Sequence, residues 1–570
     1  MMRASLRSAA TVAIATLVVG GVAAGVLPGY WIYLATAVLI TAVNLLSIGI
    51  VEGRTGMISL CQLSFAGVGA WTVGYLNVAG APGGLPLWIL IGGLAAMPFG
   101  IAIGLPALRL RGINLAIVTL GFASAFDAIL AANTFPGQTQ FLQVPRPYGF
   151  DSDEGYFLFV LIVFVLIAAA LELLAGARLG SSWLAIRHSE RAAAAHGVGI
   201  PSAKLRAFAI SAFIAGVAGG LLAGYLGTLV ADNFTMFGSL SLFAVATMAG
   251  AQYAEGAIIG GALVTLFPEL LRRLNLPQDL GNVLFAVGAV QALSTGETIS
   301  ESLRRVRGRL LRRRATETVV LNRADLPRRR DHGAAPALTV RDLSVCYGAV
   351  VALDDVDFDV PAGSVVGLIG PNGAGKSTLI DAVTGFLPSY EGSIELQGKA
   401  LEGLLAHKRA QLGVRRTWQT NRIAPDLSVG AYLMLASGGL TTAQLRAALA
   451  WIGRLDPDQK VAKIDAATRR ILDVAGVVAA RPALALLDEP AAGQSYDEAL
   501  RLAARIAEIP AVFGSAVLLV DHDMDLVRAA CASVTVLDFG RVIASGPTAK
   551  VLELPAVKTA YLGVDETVAA

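Results

Sequence analysis

The stretch Gly370-Pro371-Asn372-Gly373-Ala374-Gly375-Lys376-Ser377, with Thr378 after it, decides how this chain is read. It fits the phosphate-binding P-loop pattern, G-x-x-x-x-G-K-[ST]. The apolar, β-prone run Ser364 to Ile369 precedes it, and Thr378 to Leu387 can continue as a helix, which is the strand-to-helix setting the pattern requires. Glycines in such a loop let backbone N–H groups converge on phosphate oxygens without a Cβ in the way. Lys376 adds a point charge for the terminal phosphates of ATP, and the Ser377 hydroxyl is placed to ligate Mg²⁺. An ordinary glycine-rich turn is the alternative reading of the same residues.

The rest of the chain divides around this loop. A length of 570 residues exceeds one ordinary core, and the composition changes near residue 300. Hydrophobic residues make up 55% of the chain and charged ones 15%, and the imbalance lies almost wholly in residues 1–297. Apolar runs near 9–28, 30–51, 86–108, 112–132, 156–176, 207–230 and 279–295 approach or exceed the ~20 helical residues that cross a bilayer. Glycine-rich, interrupted segments near 57–79 and 240–272 bring the expected count to about eight to ten. A charge at mid-bilayer costs about 2.5–3.5 kcal/mol on insertion scales, so the scarcity of charge inside these runs supports the same reading. The expected fold is a polytopic α-helical membrane domain followed by an α/β P-loop NTPase domain. The boundaries are 1–297 for the membrane domain, 298–336 for a basic juxtamembrane linker and 337–570 for the nucleotide-binding domain.

The first run follows Arg3 and Arg7 and ends near Ala23 and Ala24, as a secretory signal would, but the spans behind it favour an uncleaved helix. Basic loops orient the membrane domain: Arg178, Arg187, Arg191, Lys204 and Arg206 in one, Arg304 to Arg330 in the other. Both are expected on the cytoplasmic side, where ATP is. The arginines of 304–330 stand where anionic lipid headgroups would attract them. A net charge of +3 gives no reason to invoke nucleic acid. Cys61, Cys346 and Cys531 are far apart in sequence and fit neither a disulfide framework nor a zinc site.

Behind the P-loop, Ala483-Leu484-Ala485-Leu486-Leu487-Asp488-Glu489-Pro490 reads as an apolar strand ending in two carboxylates. Asp488 would hold Mg²⁺ and Glu489 would polarise the attacking water. With these residues the chain resembles the ATP-binding domain of ABC transporters over roughly 337–565. The resemblance implies further roles. Tyr347, in Cys346-Tyr347-Gly348, matches the aromatic that stacks on adenine, a contact worth about 1–3 kcal/mol when face to face. Gln419, in Arg416-Thr417-Trp418-Gln419-Thr420, matches the glutamine that senses the γ-phosphate and the metal and touches the membrane domain. His522, in Leu519-Val520-Asp521-His522-Asp523, matches the switch histidine.

Two landmarks of that family depart. An ungapped count back from Asp488 puts Ile464-Asp465-Ala466-Ala467-Thr468 where a Leu-Ser-Gly-Gly-Gln-like signature belongs, with Arg469-Arg470 after it as at the family's helix start. Asp465 would repel phosphate, and Ala466 and Ala467 would obstruct the backbone approach that glycines permit. Leu435-Ala436-Ser437-Gly438-Gly439-Leu440 is similar but lies too early and is expected to be a loop. In Ala491-Ala492-Gly493-Gln494-Ser495, Ser495 replaces the usual Asp or Asn. Because such sites pair one subunit's P-loop with the other's signature, the expectation is an asymmetric heterodimer with a second ATPase subunit that supplies a sound signature.

Residues 1–297 resemble the permease subunit of branched-chain and other hydrophobic amino acid importers. The likeness rests on Gly53-Arg54-Thr55-Gly56-Met57-Ile58-Ser59-Leu60, on Leu110 to Leu120, and on a cytoplasmic loop, Gly180 to Gly197. That alanine-rich loop resembles the coupling helix that docks on the ATPase domain. Gly216, Gly219, Gly220, Gly250, Gly256, Gly260 and Gly261 are expected to permit close helix contact, while Gly53 to Gly69 could expose backbone to a substrate. The segment Gln138 to Tyr148, with Pro145 and Pro147, replaces the family's glycine-rich loop and leaves the substrate class open.

The resemblance implies ATP-driven import across a bacterial cytoplasmic membrane, with ATP and Mg²⁺ as cofactors. It also implies a second permease subunit and an extracytoplasmic solute-binding protein as partners. Alternatives are an importer of urea or short amides, a half-size exporter with about six long spans, and a regulatory subunit that binds ATP without useful turnover. Retained Glu489 and His522 oppose the last.

Overall fold

Apolar runs that cannot bury their surface in water-soluble packing become long helices in the first half, and alternating β-prone runs become sheets in the second. The computed structural model describes residues 16–18, 20–22, 24–277, 280–310, 335–453 and 455–562. Arg3, Arg7, the start of the run at 9–28, Ala23 and linker residues 311–334 lie outside the described residues. The chain forms two compact units: Met1–Trp183 with Ile200–Arg314, and Leu184–Gly199 with Ala315–Ala570.

In the first unit, six helices among the described residues are long and apolar enough to cross a membrane: Gly29–Arg54, Gly84–Gly104, Ile113–Ala132, Asp153–Gly176, Ile200–Leu226 and Ala254–Arg273. A seventh span results if Leu280–Thr295 and Ile299–Val306, bent by 59° at a short break, count as one. Gln62–Val78 and Met236–Ala249, at 17 and 14 residues, are helical but shorter. The interrupted segments at 57–79 and 240–272 thus resolve into helices broken at Thr55–Cys61 and at Gly250–Tyr253. Ile200–Leu226 starts earlier than its apolar run because Lys204, buried, donates from Nζ to the Ala107 carbonyl at 3.0 Å. Lys204 and Arg206 therefore stand in a helix, where a basic loop was expected.

Ile200–Leu226 packs against Gly84–Gly104, Gln62–Val78 and Gly29–Ile48. Glycine permits this: a Cβ on Gly219 would fall 1.8 Å from the Ala66 carbonyl oxygen, and one on Gly69 2.1 Å from that of Gly216. Side chains from other helices pair backbone groups at the first break. Leu60 N donates to Thr119 Oγ1 and Leu63 N to Ser239 Oγ, each at 3.1 Å. Gln62 Nε2 donates to Ser211 Oγ at 2.6 Å, and that hydroxyl donates to the Ser47 carbonyl at 2.7 Å. Unpaired backbone in lipid would cost several kcal/mol per group, so these side chains make the break tolerable.

The second unit holds two sheets. One has the order β2-β1-β4-β5, with β1 Leu338–Tyr347, β2 Val350–Val360, β4 Glu391–Leu396 and β5 Lys399–Ala400. The other has the order β10-β9-β3-β8-β7-β6. Its members are β3 Val365–Ile369, β6 Val414–Arg416, β7 Leu484–Asp488, β8 Ala516–Val520, β9 Ser533–Asp538 and β10 Arg541–Pro547. All its pairings are parallel except β9 with β10. β3, β7 and β8 are nearly continuous apolar runs because both faces of a parallel sheet are covered.

Replacing Gly219 by alanine is expected to lower the detergent-solubilised melting temperature through about 1–3 kcal/mol of overpacking. Gly121→Ala, where a Cβ meets nothing within 4 Å, is expected to be neutral or slightly stabilising. Thermal unfolding of the two variants side by side checks the contact.

Candidate functional site

Four loops leave the carboxyl ends of neighbouring parallel strands, the edge at which open α/β sheets place ligands. Leu368 and Asp488 both pair with Val520, and Arg416 pairs with Leu486. The loops after β3, β6, β7 and β8 consequently bring Gly370–Ser377, Thr417–Gln419, Asp488–Glu489 and Asp521–Asp523 to one edge.

In the P-loop, Gly370, Gly373 and Gly375 have φ of 155°, 87° and 100°. A Cβ on Gly370 would fall 2.1 Å from the Leu537 carbonyl oxygen, so the loop is closed only by glycine. Ala374 is buried, while Asn372, Gly373 and Ser377 face outward and Pro371 and Thr378 are half-buried. The helix Lys376–Thr384 begins here and presents its first N–H groups, a positive end suited to phosphate. Lys376 Nζ donates to the carbonyls of Gly370 and Pro371 at 2.6 and 2.8 Å, holding the ammonium across the cradle. Partial burial lowers its pKa, against the opposing pull of Glu489 and Asp488.

Asp488 accepts from Arg416 Nη2 at 3.0 Å, and its backbone N–H donates to Thr417 Oγ1 at 3.0 Å. Burial raises its pKa and Arg416 opposes that rise. The Arg416 side chain is 4% exposed, joins Asp381 at 2.5 Å through Nη1, and lies 4.0 Å over the Trp418 ring. Ser377, Gln419 and Asp488 supply a hydroxyl, an amide oxygen and a carboxylate, the hard oxygen donors that suit Mg²⁺ beside phosphate oxygens and water. Together with the P-loop cradle they fit a magnesium nucleotide.

Gln419 Nε2 donates to Glu489 Oε2 at 2.7 Å. Glu489 sits at φ 44°, a left-handed conformation that a non-glycine residue adopts at a cost of about 1–3 kcal/mol. His522 is 67% exposed, with Nδ1 3.9 Å from Glu489 Oε1. The structure therefore brings Gln419, Glu489 and His522 together. Tyr347 lies at the end of β1, 53% exposed.

Sequence reading assigned no role to Arg416, Thr417, Asp521 or Arg470. Asp521, buried, accepts the backbone N–H groups of His522 and Asp523 at 2.8 and 3.0 Å and so shapes the histidine loop. Arg470 donates to the carbonyls of Trp418, at 2.9 Å, and Gln419. The available signal for Arg416 was its place two residues before Trp418 and three before Gln419, and Arg470 stood out only as one of the two arginines behind Thr468.

Asp465 caps the helix Ala466–Ala479, accepting from Thr468 N at 2.8 Å, and this bond lowers its pKa. The helix end that a phosphate would meet is thus taken by the chain's own carboxylate. Ser495 caps Tyr496–Phe513 in a capping box with Glu498. Of Leu435–Leu440, expected as a loop, the first three residues close the helix Val429–Ser437.

The second unit also contains Leu184–Gly199, which the chain delivers from between two spans. It is helical in Glu190–Ala195, and Ala192 and Ala195 pack on Trp418 and Phe386. Arg191 lies 3.7 Å from Asp381 and 5.4 Å over the Phe386 ring, and Gln411 Nε2 donates to the Gly197 carbonyl at 2.9 Å. The buried His196 ring meets Tyr432 edge-on at 5.6 Å, and the Tyr432 hydroxyl donates to Asp473 at 2.9 Å. Burial pushes His196 down to about 3 and Asp473 up to about 6.

A P-loop, a strand-end carboxylate pair and a segment from between two spans packed beside them define a nucleotide-binding domain of the transporter class. Residues 27–290 match the family described as the branched-chain amino acid transport system permease component, and residues 353–492 match the ABC transporter family. The high-affinity branched-chain amino acid transport ATP-binding protein LivG of Escherichia coli (strain K12) is 32% identical over 250 residues, which cover 40% of this chain and 98% of LivG. The Fe(3+) ions import ATP-binding protein FbpC of Streptomyces avermitilis is 31% identical over 242 residues, 41% of this chain and 69% of FbpC. A nucleotide-free ATP-binding cassette from an ABC transporter aligns with a TM-score of 0.36 at 25% identity, covering 40% of this chain and all of that one. The chain belongs to the ABC transporters, in the branched-chain amino acid branch, with the permease and ATP-binding components fused. It is a membrane protein carrying an ABC-type ATPase domain.

Asp473 supplies a pH test of the docking face. Its raised pKa means the folded state holds the proton more tightly than the unfolded chain, so it lowers stability as pH rises from about 4 to about 6. Asp473→Asn is expected to unfold at the same temperature as the parent below this window. Above it, the variant should be more stable by up to about 3 kcal/mol, less any loss at Tyr432. Melting of the ATP-binding unit at pH 4 and pH 8 measures the difference.

Proposed function

We propose that this chain is the fused permease–ATPase subunit of a bacterial cytoplasmic-membrane importer for branched-chain or related hydrophobic amino acids. It works with a second permease, a second ATPase subunit and an extracytoplasmic solute-binding protein. The observation that carries the reading is the packing of Leu184–Gly199 on Trp418, beside Gln419 and the Gln419–Glu489 hydrogen bond. A segment between membrane spans thereby touches the loop that holds the water-polarising carboxylate, which is what coupling of ATP use to transport requires.

In this reading the P-loop amides and Lys376 hold the phosphates, Lys376 turning from the Gly370 and Pro371 carbonyls towards them. Tyr347 stacks on the adenine. Ser377, Gln419 and Asp488 hold Mg²⁺, which supplies charge neutralisation at the β- and γ-phosphates when bound. Glu489, released from Gln419, takes the proton of the attacking water, and His522 fixes that water and the γ-phosphate. Asp465, already capping its helix, presents a carboxylate where the partner's ATP would need a donor, so the sound site is the one built on this chain's P-loop.

The ATPase half alone discriminates weakly between cargoes, since LivG and FbpC are 32% and 31% identical to it while their printed cargoes differ. The permease match supports the amino acid reading. A cavity of about 460 Å³ in the first unit supports an uncharged side chain: Phe234, Phe237 and Leu242 line it with Thr41, Asn44, Ser241 and Asn282, and no charged residue does among the described residues. The same amides would suit urea or a short amide, the second reading.

ATP turnover of the chain in lipid, alone and with its partners, tests the reading. Turnover is expected only with partners and should fall at least about 10²-fold in Glu489→Gln. Appreciable turnover by the chain alone would overturn the asymmetric pairing, and none under any condition would favour the regulatory alternative. Uptake of labelled leucine against labelled urea by the same proteoliposomes, with the binding protein added, separates the cargo classes.

A further inference from the structure

After the 16-residue apolar helix Leu280–Thr295 the chain turns by 59° into the helix Ile299–Leu310. A turn of this size carries the second helix out of the line of the first. The inner side of the new helix is pinned. Ser300, buried, donates to the Gly250 carbonyl at 3.1 Å, and Gln252 Nε2 donates to Glu301 at 3.3 Å. The Arg304 guanidinium pairs with Glu255 and lies 3.6 Å over the Tyr253 ring.

The pinned side also locates the helix. Arg54, at the end of one span, donates to the Gln252 carbonyl at 3.0 Å and faces Glu172, in the last turns of another, at 3.9 Å. Glu255 opens a third. Ion-paired charges from three spans and from the helix itself thus gather at one end of the unit, and charges at that density mark the edge of the hydrocarbon. The helix lies at that edge.

Its remaining surface has two characters. Ile299, Leu303 and Val306 follow i, i+4, i+7 spacing on one face and are 40%, 51% and 53% exposed. Within Ile299–Leu310 the sequence carries four arginines against one glutamate, of which Arg304 and Arg305 have ion-pair partners in Glu255 and Glu297. An apolar face beside a dense positive charge, at the level where lipid ends, is complementary to acyl chains below and anionic headgroups above.

We propose that Ile299–Leu310 is a membrane-surface helix that lays Ile299, Leu303 and Val306 into an anionic leaflet while its arginines engage the headgroups. The partner is the lipid surface. It is not a protein groove, because the bend, the charged belt and the apolar face all lie at the bilayer boundary. The inference is independent of which solute the permease carries.

The full chain in nanodiscs tests this. With Cys346, the exposed cysteine, changed to serine and the buried Cys61 and Cys531 left in place, nitroxide labels go on Leu303→Cys and, separately, on Val306→Cys. In discs containing phosphatidylglycerol the ratio of oxygen to nickel-chelate accessibility should be several-fold higher than at a label on Ser302→Cys. It should fall in pure phosphatidylcholine, at high salt, and in the R305Q/R307Q/R309Q chain. Equal ratios in anionic and zwitterionic discs would overturn the anionic partner. Labels immobilised and shielded from both reagents would show that protein covers the face, and nickel-accessible labels that water does; either would overturn the membrane assignment.

Discussion

The ATP-binding unit is organised around one buried cation. Arg416 closes β6, and its guanidinium reaches Asp381 on the P-loop helix, Asp488 at the end of β7 and the face of Trp418 at once. Three pieces of the site are therefore fixed by one planar, always-charged fork, which a lysine could not reproduce. The burial of such a group is tolerable only because both carboxylates face it, and deleting it would strand two acids in low dielectric. Asp381 also meets Arg191 of the membrane-derived segment. A single network of alternating charge thus runs from the docking segment to the strand-end aspartate.

The membrane unit depends on a different constraint, the absence of water as a hydrogen-bonding partner. Its first break survives because Thr119, Ser239 and Ser211 replace water for the backbone, Ser211 being held in turn by Gln62. Its helices approach closely because the contacts at Gly69, Gly216 and Gly219 have no side chain to separate them. Small residues and short polar ones divide the work: the former set distance, the latter permit irregularity.

Much of this was legible in the sequence, and the reason is locality. The P-loop, the Asp488–Glu489 pair, Gln419 and His522 are contiguous signals whose chemistry needs only a strand end, and the parallel sheet then delivers them to one edge. The helical breaks were legible as glycine-rich interruptions, although their resolution into short helices lowered the number of full-length spans. Lys204 misled because a charge in sequence looks solvated until the Ala107 carbonyl that it reaches is known. Arg470 holding the Gln419 loop, and His196 resting on Tyr432 and Asp473, were hidden because each joins segments far apart in the chain. Asp465 read as a defect for a ligand, and in the fold it is also a helix cap.

Fusion gives the docking of Leu184–Gly199 a kinetic advantage that its own contacts do not supply. A few alanines on two aromatic rings, the Arg191–Asp381 ion pair, one hydrogen bond from Gln411 and the His196 ring on Tyr432 make a small interface. Joined in one polypeptide, the two surfaces meet at an effective concentration on the order of millimolar rather than at that of free subunits in the cell. A free ATPase from another transporter must therefore compete against a tethered rival for this position. The sequence of the interface can drift towards weakness, and towards easy release during a transport cycle, without loss of pairing fidelity.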